Sequence, residues 1–222
     1  PIGAIAETNG LSSNRLTPGQ RLWLPGVRAL KGDPTAPPCE PVEKPPVGTP
    51  PPYPLVTRAQ WGAEPPRANT DPMGGITRIT VHHTGEIPGM DHLDDLTLVR
   101  AVANYHRNVQ AKGKELWADI GYHFLVGRDG KVYEGRSSLL QGAHAGGENN
   151  KHNLGIAAIG TFQSRLPETG QLAILRLLLQ HQQAVHGVCM ANVLGHRDLK
   201  VTACPGDALY AWLRRYKAGA LA

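Results

Sequence analysis

The chain has no apolar stretch long enough to cross a membrane: 41% of its 222 residues are apolar, and "ILRLLLQ" stops well short of the roughly 20 residues a spanning helix requires. It has no run of five like charges, so a nucleic-acid-binding arm has no support. No internal repeat divides it. It opens on "PIGAIAETNG" rather than on Met, and no targeting segment can be read from it. Cysteine is scarce. Cys39, Cys189 and Cys204 make an odd number, which leaves at least one outside any intramolecular disulfide. No CxxC pair offers the four-ligand set of a structural zinc site.

The length suits one sizeable domain with a small appendage. A net charge of +5 favours polyanionic surfaces such as nucleic acid, anionic lipid or an acidic cell wall. Between residues 31 and 54 runs "KGDPTAPPCEPVEKPPVGTPPPYP", too dense in proline for helix or sheet and suited to an extended spacer. It separates a short piece, residues 1–30, from a globular domain over residues 55–222. The short piece contains "NGLSSNRLTPGQRLWLP", with Asn-Gly and Pro-Gly turns before an alternating apolar stretch.

Within the main domain strands alternate with helices. "ITRITVHH" (76–83) and "NLGIAAIG" (153–160) are β-branched or apolar runs suited to buried strands. "YHFLVGRDGKVYEG" (122–135) is two short strands joined across Asp129-Gly130, a hairpin signal. "ANVLGHRD" closes the strand set. Helices are predicted over 94–109, with Leu98, Val102, Tyr105 and Val109 at helical spacing, over the stretch that ends at Gly187, and over "GDALYAWLRRYKAG". The pattern predicts an α+β fold, a central mixed β-sheet flanked by helices.

Ten histidines stand in the chain. His92, His106, His181 and His186 lie on or beside helices in polar surroundings, where solvated or hydrogen-bonded roles are expected. His82 and His83 end a strand, and adjacent strand residues point to opposite faces, so only one of them faces a given site. His196 ends "NVLGH", and Cys204 follows it by eight positions, immediately before Pro205-Gly206. Two strand-end histidines and a cysteine are three N/S ligands, the number a catalytic zinc takes when its fourth position is left for water. On this reading the loop folds back to the metal, and Pro205 and Gly206 start the last helix. A cysteine nucleophile with His196 as its base, a structural zinc, and simple packing at strand ends compete with it.

The motifs "VTRAQWGA", "ITVHHTG", "IGYHFLVGRDGKVYEGR", "GAHAGG", "HNLGIAAIG" and "GHRDLKVTACPGD", in that order, resemble the zinc N-acetylmuramoyl-L-alanine amidases that include peptidoglycan recognition proteins and phage amidase lysozymes (endolysins). The resemblance covers residue 55 to about residue 217. It implies a hydrolase with Zn2+ held by His82, His196 and Cys204, Tyr122 as a catalytic residue and Thr202 as a stabiliser of the transition state. Phage members carry lysine at the position of Thr202; a hydroxyl donates one hydrogen bond but no positive charge. His144 and Asn153 match substrate-contacting groove residues, and Thr84 and Arg136 join them. Where recognition proteins selective for diaminopimelate carry Gly-Trp, this chain has Ser137-Ser138, which leaves stem-peptide preference open. The 1–30 piece resembles the second half of a LysM module.

The partner so implied is peptidoglycan, with no nucleic acid and no membrane span, for a monomer secreted or associated with the cell wall. Family members that only bind peptidoglycan have typically lost the cysteine, so its presence argues for cleavage over binding alone. Cys39 and Cys189 are candidates for a disulfide that pins the linker to the domain, with two free thiols as the alternative.

Overall fold

The computed structural model describes residues 43–46, 48–86, 89–90, 92–108 and 116–220. All belong to one compact unit, Cys39–Ala222. The LysM-like piece, Cys39, Val109 and most of the proline-rich stretch lie outside the described residues. Cys189 is disulfide-bonded.

Among the described residues six strands form one sheet in the order β1-β4-β3-β5-β2-β6. They are β1 (Leu55–Val56), β2 (Arg78–His83), β3 (Phe124–Val126), β4 (Val132–Glu134), β5 (Asn153–Ala158) and β6 (Val193–Gly195). Only β3 and β4, the hairpin across Asp129-Gly130, pair antiparallel; β5 on β3, β2 on β5, β6 on β2 and β1 on β4 are parallel. The sheet is therefore mixed, as the sequence pattern predicts. The helices are α1 (Arg58–Trp61), α2 (Asp95–Asn108), α3 (Thr169–His186) and α4 (Asp207–Lys217). α3 ends where Gly187 takes the left-handed conformation at φ 66°.

Parallel strands are buried on both faces, and β5, "NLGIAA", is buried at all six positions. Ile79, Val81, Leu154 and Ile156 pack on Leu175 and Leu178 of α3 and Leu209 and Leu213 of α4. Across the sheet, Leu125 and Tyr133 pack on Leu98, Val99, Val102 and Ala103 of α2. Pleating therefore sends Thr80, His82, Asn153 and Gly155 to the face that α2 shares, beside the part α2 covers.

Two local expectations are corrected. Tyr105 is 70% exposed, because the buried stripe of α2 runs through Leu98, Val99, Val102 and Ala103 and leaves Tyr105 at its edge. Pro205 precedes the cap of α4 instead of lying in its first turn. Gly206 holds φ 95°, outside the helical range, and an added Cβ there would stand 2.2 Å from the Phe162 carbonyl oxygen. The helix starts only after it.

Candidate active site

The β2–β6 register, Val81 opposite Gly195, delivers His196 beside His82 at the strand ends, with ring centroids 4.4 Å apart. The chain then returns, and Cys204 Sγ comes to 3.6 Å from His82 Nδ1 while accepting a hydrogen bond from the His83 backbone N at 3.4 Å. The ligand atoms of His82, His196 and Cys204 all lie within 4.8 Å of one another. His83, on the opposite face, sits against Phe162.

A clamp holds this loop. Arg197 donates through Nη1 to Asp207 in the first turn of α4 and through Nη2 to the carbonyl of Ala203, both at 2.6 Å. Asp198 accepts from the Gly195 backbone N and from the Tyr210 hydroxyl. Both ligand-bearing ends of the loop are thus tied to the helix that follows.

Burial dominates the electrostatics. It holds His82 well below the usual histidine range, helped by His144 and His196. His196 is lowered to about 4 by burial and by Lys200. Cys204 is pushed up to about 11 by burial. Without metal the site therefore holds two neutral imidazoles and a protonated thiol at pH 7. The buried Nε2 of His196 has no hydrogen-bond partner among the described residues. Two imidazoles and a thiol at this spacing, one of them with an unpartnered ring nitrogen, fit a three-ligand zinc site with an open fourth position.

Tyr122 stands beside the triad, its ring centroid 5.3 Å from that of His82. Burial, then Cys204, raises its hydroxyl pKa, so the phenol stays protonated. Thr202 is half-exposed in the loop, and its Oγ1 accepts from the Cys204 backbone N at 3.3 Å.

The four residues expected to contact substrate all hydrogen-bond to protein groups. His144 is 8% exposed and lies behind His82, with His82 Nε2 to His144 Nδ1 at 2.9 Å and His144 Nε2 to the Asn153 carbonyl oxygen at 3.0 Å. Its pKa is lowered to about 3, first by burial. Asn153 is fully buried; its side chain accepts from Thr80 and donates to the Asn149 carbonyl. Arg136 spends its guanidinium on the carbonyls of Ile120, Asp119 and Gln141. Thr84 is half-buried, accepting from the Gly160 backbone N and donating to the Gly85 carbonyl. Periodicity cannot reveal such partners, because they depend on how loops cross the sheet.

The His144 ring lies against Gly155, where an added Cβ would stand 2.5 Å from it. Gly155→Ala is expected to destabilise the fold by about 1–3 kcal/mol through overpacking, read by denaturant unfolding.

Two residues near the site, Lys200 and His106, are given no part in it by the sequence reading. Lys200 has its Nζ 3.9 Å from where a Cβ on residue 146 would sit, and its charge acts on His196. His106 follows Val102 by one turn of α2, a spacing visible in the sequence. Its ring lies 5.1 Å from that of Trp117 and 5.3 Å from that of Tyr122, and its Nδ1 accepts from the Gly121 backbone N.

A strand-end triad on this sheet defines a class, and comparison with known proteins agrees. The family model described as N-acetylmuramoyl-L-alanine amidase matches residues 72–207, and the chain belongs to that family. Over 168 residues it is 40% identical to peptidoglycan-recognition protein SD of Drosophila melanogaster, a match covering 73% of this chain and 86% of that one. The crystal structure of Drosophila recognition protein SD superposes with a TM-score of 0.64 at 37% identity, covering 73% of this chain and 94% of that one. The chain is also 36% identical over 164 residues to an N-acetylmuramoyl-L-alanine amidase of Sus scrofa, covering 72% of this chain and 26% of that larger protein. The ectodomain complex of recognition proteins LCa and LCx, bound to tracheal cytotoxin, matches at TM-score 0.62 and 33% identity, covering 73% of this chain and 96% of that one.

Proposed function

We propose that this protein is a zinc-dependent amidase that hydrolyses the bond between the lactyl group of N-acetylmuramic acid and L-alanine in peptidoglycan. The observation that carries the reading is the convergence of His82, His196 and Cys204 beside Tyr122. His82 Nδ1, His196 Nε2 and the Cys204 thiolate would hold the ion. Zinc, when bound, polarises a carbonyl and lowers the pKa of water to about 7, which supplies a nucleophile at neutral pH.

The rest falls to the chain's own groups. Tyr122, protonated at neutral pH, donates its O–H to the oxygen on which negative charge develops and cannot serve as the base. Thr202, on the loop beside Cys204, offers a second, neutral donor. Water adds to the carbonyl carbon, the C–N bond breaks, and the products are a lactyl carboxylate and a peptide with a free L-alanine amine.

The relatives' names divide between recognition proteins and amidases. Retention of the full His82, His196 and Cys204 set supports cleavage over recognition alone. A relative that binds tracheal cytotoxin supports a muropeptide ligand. We read the protein as a monomer acting at the wall outside the cell; no helix among the described residues is long and apolar enough to cross a membrane. Residues 1–30, as a LysM-like segment, and the 31–54 linker would belong to such a wall-directed protein.

The test is mass spectrometry of a muramyl peptide incubated with the zinc-loaded protein. Two fragments together heavier by one water, one of them beginning with L-alanine, are expected; intact peptide retained by the protein would make it a binder. Zinc binding should also release protons. Because His82 and His196 titrate well below neutrality and Cys204 near 11, at least one proton per zinc is expected at pH 7, one from the thiol and a further fraction from the zinc-bound water. Affinity should therefore rise about tenfold per pH unit as pH increases towards the thiol pKa. Calorimetry in buffers of different ionisation enthalpy reads the number, and zinc uptake with no proton release would remove Cys204 from the ligand set.

A further inference from the structure

We propose that His144 is a positioning residue that presents His82 to the metal, by fixing which ring nitrogen of His82 carries its proton. The inference rests on the zinc reading above but concerns a residue outside the ligand triad. Its basis is a chain of three groups: His82 Nε2 to His144 Nδ1 at 2.9 Å, and His144 Nε2 to the Asn153 carbonyl oxygen at 3.0 Å.

A carbonyl oxygen only accepts, so His144 Nε2 carries a proton. In a neutral His144 the other nitrogen, Nδ1, is then the acceptor, and His82 Nε2 must be the donor. His82 Nδ1 is left with a bare lone pair, and that is the atom 3.6 Å from Cys204 Sγ. Reversing the direction would place a proton on His82 Nδ1 and close the ligand atom to metal. The order of donors is thus dictated from the far end, by a backbone carbonyl of β5.

That carbonyl is itself fixed. Asn153 pairs with Arg78 across β2, its Oδ1 accepts from Thr80 on the same strand as His82, and its Nδ2 donates to the Asn149 carbonyl. The His144 backbone is held as well, because Asn150 Oδ1 accepts from the backbone N of both His144 and Ala145. Two glycines leave room for the ring: a Cβ at Gly142 or Gly155 would stand 2.6 or 2.5 Å from it. A buried histidine hydrogen-bonded to a backbone carbonyl at one nitrogen and to His82 at the other is placed to orient that ligand.

Outer partners of this kind typically contribute 10–100-fold to metal affinity. Two substitutions separate the orienting role from packing. His144→Gln keeps a donor for the Asn153 carbonyl and an acceptor for His82, whereas His144→Leu keeps bulk and loses both. Competition with a chelator should show zinc affinity lowered about 10–100-fold in the leucine variant and within a few-fold of wild type in the glutamine variant. Equal affinity in wild type and His144→Leu would overturn the proposal, and failure of the wild type to bind zinc would overturn the metal reading instead.

Metal-free wild-type protein gives a check that requires no substitution. Long-range 1H–15N spectra should show His82 and His144 both protonated at Nε2 and bare at Nδ1. A proton on His82 Nδ1 would overturn the proposal whatever the variants do.

Discussion

Cys204→Ser should lose zinc and amide cleavage together. The thiol is held near 11 by burial in the metal-free protein, yet a metal that displaces its proton gains an anionic ligand between two neutral imidazoles. A serine hydroxyl at the same place ionises far less readily and is a harder donor than sulfur. The fold has less at stake. Sγ accepts from the His83 backbone N and approaches His82, and a hydroxyl can take up the first of these contacts. Zinc content and turnover are therefore expected to fall by more than the roughly 10–100-fold that loss of a supporting group costs, with metal-free unfolding nearly unchanged. A serine variant of full activity would show that sulfur does not hold the metal.

Tyr122→Phe separates chemistry from metal binding. The Tyr122 hydroxyl makes no hydrogen bond to protein among the described residues, whereas its ring packs beside those of His82 and His106. Phenylalanine keeps the ring contacts and removes only the O–H. If that O–H meets the developing oxyanion, kcat should fall about 100- to 1,000-fold, the usual cost of one such donor, while zinc occupancy and KM stay close to wild type. Loss of zinc in the variant would place Tyr122 in the metal's support instead. Retention of kcat would remove it from the reaction.

Much of this site was legible in the sequence because its parts lie at strand ends. His82 and His196 each close an apolar run, and parallel pairing of β2 and β6 brings such ends together without further information. The Asp129-Gly130 turn and Gly187 marked the hairpin and the end of α3 for the same reason, since local backbone chemistry carries them. Other features depend on register and crossing. His144 reads in sequence as one loop residue among glycines, and its place behind His82 follows from β5 lying beside β2 and from the Asn153 carbonyl turning towards it. Arg136 resembles a groove cation but is consumed by three carbonyls of neighbouring loops. Tyr105 fits a helical stripe by spacing alone, yet the stripe of α2 that meets the sheet is rotated away from it. β1 is two residues long and carries no periodic signal at all.

The most direct test of the zinc amidase reading is to label new amino termini on purified peptidoglycan treated with native, chelator-stripped and zinc-restored protein. L-alanine termini that appear with the native protein, vanish with the chelator and return with zinc are the predicted result. A protein that sediments with the wall and releases no termini in any of the three states would contradict it.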